Sequence, residues 1–95
     1  MKLMIVIVNY KVTDMTIECL RSLSPKIASV QGARVTICEN GTGEQAAAWL
    51  RETIRAEGWQ DWASVTAIHP NRGFTGGNNA ILDPLLASND RPAYF

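Results

Sequence analysis

The sequence predicts an α/β protein in three layers, with a parallel β-sheet between helices that cover both of its faces. Two observations lead to this fold class. Residues 3–8 form a continuous apolar run rich in β-branched side chains, which is typical of a strand covered on both faces and predicts a central strand. Strand-like and helix-like segments then alternate in the order βαβαβαβ, which predicts parallel strands joined by right-handed crossovers.

Length and composition bound the class further. The 95 residues have room for one domain, residues 1–95, and 46% hydrophobic with 19% charged residues is a globular composition. Nine basic residues balance nine acidic ones, so neither nucleic acid nor an anionic membrane surface is expected as the main partner. The apolar run at residues 3–8 is too short for a signal peptide, and no stretch approaches the roughly 20 residues of a membrane span. We therefore expect a cytoplasmic protein.

The two cysteines lack the C-x-x-C spacing of a metal or redox pair. Cys19 lies on a predicted helix face and Cys38 in a predicted strand, and free cysteine behaves as a small hydrophobe. We expect both to be buried, reduced thiols.

The first helix is predicted over residues 13–24, and Pro25 is expected to end it. Its buried stripe would consist of residues at helical spacing, Met15, Cys19, Leu20 and Leu23. The second strand is predicted over residues 33–38, where β-branched side chains recur.

A capping box predicts the start of the second helix, because Thr42 stands three residues before Gln45. Gly58 suits the C-terminal cap, after a helix that runs to about Glu57. The buried stripe of this helix would be Ala47, Leu50 and Ile54. Three tryptophans are expected to pack this helix and its connector, with a ligand platform as the alternative: Trp49, Trp59 and Trp62.

The last third of the chain predicts a strand, a loop and a helix. Residues 64–69 alternate weakly, as in an edge strand, and Pro70 should end it. Residues 71–79 are rich in Gly and Asn and predict a loop, after which helical spacing begins at Ala80. Pro84 should kink or end that helix early.

Polar residues follow the predicted strands where each one ends. Asn9 and Tyr10 follow the first strand, residues 39–42 end the second, and residues 71–79 follow the third. Because the carboxyl ends of parallel strands meet at one edge of a sheet, we expect a ligand to bind there.

The Gly-rich segment 71–79 has two open interpretations. Gly73, Gly76 and Gly77 permit positive φ and close backbone approach, and Arg72 is a cation able to grip phosphate oxygens. A phosphate site and a tight structural turn fit this composition equally. The segment is neither a Walker loop nor the dinucleotide fingerprint, because it lacks G-K-[ST] and does not follow the first strand.

Three single residues are also of interest. Glu39 is either an acceptor for a ligand N–H or a helix-capping surface charge. Tyr10 either stacks on a planar ring or covers the end of the sheet. His69 has no second histidine or acidic neighbour at ligand spacing, and we expect it to be structural.

Three segments together carry a family resemblance. They are IVIVNY at residues 5–10, VTICENGTGE at residues 35–44 and NRGFTGGNN at residues 71–79. In this order and spacing, the chain resembles the start of a family 2 glycosyltransferase with the GT-A fold, in its bacterial rhamnosyltransferase-like branch. The resemblance covers essentially all 95 residues, and the segment 71–79 is its most specific part.

The resemblance implies a nucleotide-binding set of residues. The base pocket would be lined by Val8, Asn9 and Tyr10. Glu39 would take the position of the acidic base-binding residue, in a loop shaped by Asn40 and Thr42. The nucleotide and the sugar-phosphate region would be bordered by Arg72, Gly73, Gly77 and Asn79.

Two positions depart from the family pattern. Glu39 stands where the family usually has Asp, and the extra methylene moves the carboxylate by up to about 1.5 Å, one carbon–carbon bond length. The base contact would then be water-mediated or lost. Ile81 stands where Gly is common, which affects helix packing more than chemistry.

The activity implied is transfer of a hexose, such as rhamnose, from a UDP- or dTDP-sugar to a polysaccharide or lipid-linked acceptor, in polysaccharide biosynthesis. In the family, an aspartate motif after the fourth strand holds Mg²⁺ or Mn²⁺, and the acceptor site follows it. We expect both to be absent from residues 1–95, which would form the nucleotide-sugar-binding segment, bind no metal and show no turnover alone.

The family orders its first four strands 3-2-1-4, and residues 93–95 would be the truncated opening of the fourth. The first strand would then have an unpaired edge, so we expect a homo-oligomer that hides this edge. An alternative function is a non-catalytic binding or assembly module derived from a truncated glycosyltransferase. A flavodoxin-like binder shares the topology, but the chain has no phosphate loop after the first strand.

Overall fold

The computed structural model describes residues 2–27, 29–88 and 92–95. In these residues, three strands alternate with three helices: β1 (Leu3–Asn9), α1 (Thr13–Ile27), β2 (Ala33–Asn40), α2 (Glu44–Glu57), β3 (Ala63–Ile68) and α3 (Gly73–Ala87). All strands are parallel, and β2 lies between β1 and β3. The arrangement confirms the predicted α/β class and is compatible with a Rossmann-like fold.

The two faces of the sheet carry different layers. Side chains alternate along β2, so Val35 and Ile37 point to one face and Cys38 to the other. On the first face they pack in a buried cluster with α1 and α2, which contribute Leu20 and Leu50. Full burial of one such Leu or Ile side chain is worth about 1.5–3 kcal/mol, so this cluster is the main core. The second face, along β1 and β2, is covered by α3.

β1 was expected at the centre of the sheet, but β2 is the central strand of the three described. Beyond β1 there is a single parallel bridge, between Leu3 and Tyr94. Met4 N donates to Tyr94 O at 2.9 Å, and Tyr94 N donates to Lys2 O at 3.0 Å. The rest of β1, residues 5–8, is half-buried. β3 confirms the prediction of an edge strand.

α1 presents a different face to the core from the one predicted. Its inward-facing residues are Thr13, Thr16, Ile17, Leu20 and Ile27. Of the predicted stripe, Leu20 is buried and Leu23 is half-buried against the core, whereas Met15 is 67% exposed and Cys19 is exposed. The buried face is centred on Ile17 and Leu20 rather than on Met15 and Cys19, and Thr13 and Thr16 on this face make buried hydrogen bonds with Asn9.

Pro25, which is expected to end α1, and Pro84, which is expected to kink or end α3 early, both lie within the last turn of their helix. α1 continues past Pro25 to Ile27, and α3 continues past Pro84 to Ala87. A proline removes one helical N–H donor, and near the end of a helix few hydrogen bonds follow it. The cost is therefore limited, and in α1 it is offset by burial of Ile27.

α2 agrees with its prediction except at its start. The helix ends at Glu57, Gly58 has a left-handed φ of 75°, and the predicted apolar stripe is buried. The capping box is wrong, because no side chain caps the helix and Gly43 precedes it. Trp59 and Trp62 pack as predicted, with ring centroids 5.6 Å apart. Trp49, by contrast, is 50% exposed.

α3 begins at Gly73, so most of the predicted Gly-rich loop is the first two turns of this helix. Only Gly73 has a positive φ; Gly76 and Gly77 do not. A Cβ on Gly77 would lie 3.0 Å from Asn40 Nδ2 and 3.1 Å from Val8 Cγ1. This glycine therefore allows α3 to pack closely on β1 and β2.

None of the helices that the structure describes combines the length and the apolar character needed to cross a bilayer.

Candidate functional site

The loops that follow the strands meet at one edge of the sheet, which we call the carboxyl rim. It comprises residues 10–12 after β1, residues 41–43 after β2 and residues 69–72 after β3. Because all strands run in the same direction, these loops share one edge, as the sequence predicts.

Hydrogen bonds connect the loops of the carboxyl rim. Lys11 N donates to Thr42 Oγ1 at 2.9 Å, which joins the first loop to the second. Asn40 joins β2 to the third loop twice: its Oδ1 accepts from Arg72 N at 3.0 Å, and its Nδ2 donates to Gly73 O at 2.9 Å. The rim is thus held together by specific contacts between segments distant in the chain.

Glu39 is a buried anchor of the rim, with a relative exposure of 1%. Its Oε1 accepts from Thr42 N at 3.0 Å and from Asn9 Nδ2 at 3.4 Å, and its Oε2 accepts from Gly43 N at 3.4 Å. The interpretation of Glu39 as a surface charge is therefore wrong. The carboxylate instead holds the loop that leads into α2.

Asn9 connects Glu39 to α1. Its Nδ2 also donates to Thr13 Oγ1 at 3.2 Å, and its Oδ1 accepts from Thr16 Oγ1 at 2.7 Å. Asn9 is fully buried, so its amide is committed to protein partners. Each such bond contributes about 0.5–1.5 kcal/mol, and together they orient the start of α1 against the sheet.

A cleft of about 680 Å³ opens beside Glu39, between α2 and β3. This volume is in the range of small-molecule sites, about 300–1,000 Å³. Its wall is apolar at Ala47 and Ile68 and polar at Arg51 and His69. We call this the Glu39 cleft.

Sequence reasoning missed Arg51 as a cleft residue. The available signal was its place one helical turn after Ala47, on the stripe of α2 that faces β3. His69, which was expected to be structural, is exposed and lines the same cleft.

The predicted nucleotide-binding residues divide by exposure. The exposed ones lie at the rim or on the start of α3: Tyr10, Arg72, Gly73 and Asn79. The half-buried and buried ones lie beneath the carboxyl rim: Val8, Asn9, Glu39, Asn40, Thr42 and Gly77. Of all these residues, only Glu39 lines the cleft beside it.

Tyr10 and Arg72 project from the rim. The Arg72 guanidinium makes no ion pair or hydrogen bond within the described residues, and it is available to an anion. Lys11 Nζ lies 5.1 Å from the centroid of the Tyr10 ring, a cation–π contact.

The two cysteines differ in environment. Cys38 is fully buried as expected, and burial, assisted by the neighbouring Glu39 carboxylate, raises the pKa of its thiol. It therefore stays protonated and unreactive near neutral pH. The expectation of a buried thiol is wrong for Cys19, which lies on the solvent face of α1.

Compared with known proteins, this chain matches no family model, no curated protein and no solved structure. The class that the fold and the site define is a small α/β protein with a ligand-sized cleft at the carboxyl edge of a parallel sheet.

Proposed function

We propose that this chain is the donor-nucleotide-binding part of an inverting family 2 glycosyltransferase with the GT-A fold. The complete enzyme would transfer a hexose, such as rhamnose, from a UDP- or dTDP-sugar to a polysaccharide or lipid-linked acceptor. The proposal rests on the resemblance of three sequence segments and on the carboxyl rim. The proposal includes the strand order 3-2-1-4, which the parallel bridge between Leu3 and Tyr94 supports.

The observation that carries the proposal is the meeting of the three resembling segments. They are far apart in the chain, yet Asn9 is bonded to Glu39 and Asn40 to Arg72. The exposed residues of the first and third segments, Tyr10 and Arg72, therefore lie at the same edge of the sheet. Meeting at the carboxyl ends of parallel strands is the usual arrangement of nucleotide sites in α/β proteins.

The rim has chemistry suited to a nucleoside diphosphate. The Glu39 cleft offers the apolar walls Ala67 and Ile68 to a planar base. The Arg72 guanidinium, which has no partner within residues 2–27, 29–88 and 92–95, can grip two phosphate oxygens through parallel hydrogen bonds. Glu39 is held by the protein and would act on the base mainly by fixing the shape of the loop after β2.

The resemblance also implies a divalent metal. No group of three or more His, Cys, Asp or Glu side chains suited to a metal ion occurs in the part of the chain that the structure describes. The nucleotide site proposed here is built without one.

Calorimetry with UDP and dTDP tests the proposed function. We expect binding, and we expect Arg72→Ala to weaken it at least about tenfold, because a charge-assisted phosphate contact is lost. Arg34→Ala is the matched control, since Arg34 is exposed at the start of β2, the opposite end of the sheet. Absence of binding at millimolar nucleotide, or equal weakening by both variants, would contradict the proposal.

A second candidate is an assembly module, favoured by the outer edge of β1. Tyr94 pairs only with the start of this strand. By alternation from Met4, the N–H groups of Val6 and Val8 point the same way and have no partner among the described residues. The side chains there are Ile and Val, whereas β3 carries Ser and Thr. A second copy of the chain could pair along β1.

Sedimentation at increasing protein concentration tests this pairing. We expect self-association of the unmodified chain and a shift toward monomer for Val6→Lys, because a charged edge strand resists pairing. Thr66→Lys, on the exposed surface of β3, should leave the association unchanged. A monomer at all concentrations, or equal effects of both variants, would rule out assembly through β1.

A further inference from the structure

A second cavity of about 790 Å³ lies between the amino-terminal ends of α1 and α2. We call it the Trp49 groove. Its functional side chains are Lys11, Asp14, Glu44, Gln45 and Trp49. It adjoins the Glu39 cleft, because Gly43 and Glu44 line both.

Trp49 is the feature of the groove that packing does not explain. Trp59 is 5% exposed and stacks against Trp62, but half of the surface of Trp49 faces solvent. Trp is highly buried on average, and its indole carries a large apolar surface. An exposed indole in a concave wall is a flat platform for a ligand ring.

Polar side chains line the Trp49 groove beside the indole. Neither Glu44 nor Gln45 makes a side-chain hydrogen bond or an ion pair within the described residues. Asp14 uses one oxygen to accept from Met15 N at 2.9 Å, which leaves its second oxygen available. The groove therefore presents both hydrogen-bond donors and hydrogen-bond acceptors to a ligand.

The charges decide which class of ligand fits. The carboxylates of Asp14 and Glu44 oppose the ammonium of Lys11 and the partial positive charge of the amino-terminal ends of α1 and α2, so the groove has little net charge and favours neither anions nor cations strongly. A neutral pyranose meets every condition, since one ring face presents C–H groups and its edges present hydroxyls that both donate and accept.

We propose that the Trp49 groove binds a pyranose ring of a neutral carbohydrate, stacked on the Trp49 indole and hydrogen-bonded to Asp14 and Gln45. This goes beyond the proposed nucleotide site and does not require that site to be occupied.

Saturation-transfer NMR tests the proposal, with four methyl pyranosides as probes: α-D-glucoside, α-D-mannoside, β-D-galactoside and α-L-rhamnoside. For at least one, we expect transfer to the ring C–H protons and a shift of the Trp49 indole N–H resonance, with those of Trp59 and Trp62 unmoved. Trp49→Ala should weaken the binding at least about tenfold. Phe74→Ala, which removes a 76% exposed aromatic from α3, is the matched control and should not.

Several results would overturn the carbohydrate site. These are no transfer to any of the four glycosides, equal transfer to the Trp49→Ala variant, or binding of choline in place of the glycosides. Amide spectra of the variant check that it is folded, which we expect because the side chain is half exposed. No nucleotide is present in this measurement. Failure of UDP and dTDP binding would therefore overturn the proposed function without contradicting carbohydrate binding in the Trp49 groove.

Discussion

Replacing Glu39 by alanine is expected to lower the free energy of unfolding by about 3 kcal/mol, which is a large part of the stability of a small domain. The carboxylate is buried and accepts hydrogen bonds from Asn9, Thr42 and Gly43. Its removal takes the charged acceptor from the backbone N–H groups of Thr42 and Gly43 and from one N–H of the buried Asn9 amide. Urea denaturation followed by circular dichroism measures the change.

Glu52→Ala is the matched control for this substitution. Glu52 is exposed on α2 and its ion pair with Arg55 lies in solvent, so its loss should cost less than about 1 kcal/mol. Glu39→Gln should fall between the two, because an amide keeps one acceptor oxygen but presents N–H groups to the donors of the loop. Equal stabilities of the Glu39→Ala and Glu52→Ala variants would show that the buried carboxylate is not an anchor.

The second large effect is expected for Gly41→Ala. Gly41 has a φ of 89°, and a Cβ there would lie 2.5 Å from the backbone N of Asn71. The left-handed backbone and the forced shift of the loop after β3 together should cost about 3 kcal/mol of unfolding free energy. That shift would also disturb the hydrogen bond between Asn40 and Arg72, so UDP affinity should fall in parallel.

Gly58→Ala separates the two causes. Gly58 also has a left-handed φ, 75°, but a Cβ there meets nothing within 4 Å. Its cost should be limited to the backbone strain, about 1–2 kcal/mol. Thermal or urea unfolding of both variants gives the difference, which measures the contact between the loops after β2 and β3. If the two variants lose the same free energy of unfolding, the close approach of Gly41 to Asn71 does not affect stability.

Local patterns predicted the elements whose partners lie in the apolar core. The continuous run at residues 3–8 became β1, and the stripe that includes Leu50 and Ile54 became the buried face of α2. These predictions succeed because burial of apolar surface is the dominant favourable term in folding. It is non-directional and depends on the apolar area that is buried, not on one specific partner.

Predictions failed where a polar side chain found a specific partner. On α1, Thr16 lies on the buried face beside Ile17 and Leu20, where it donates to the buried Asn9. Thr42 did not cap α2 because it accepts from Lys11, 31 residues earlier in the chain. The glycines after Arg72 became helix because α3 needs a close approach to Asn40.

By itself, the sequence determined the alternating α/β order, the apolar layers and the polar strand ends from which a ligand edge could be expected. Only the tertiary structure decided that Glu39 is buried, that Arg51 lines a cleft and that Trp49 faces a groove. The physical reason is one of range. Hydrophobic periodicity can be seen in residues that are close in sequence, whereas a hydrogen bond or a cavity depends on which distant segments the fold brings within a few ångströms.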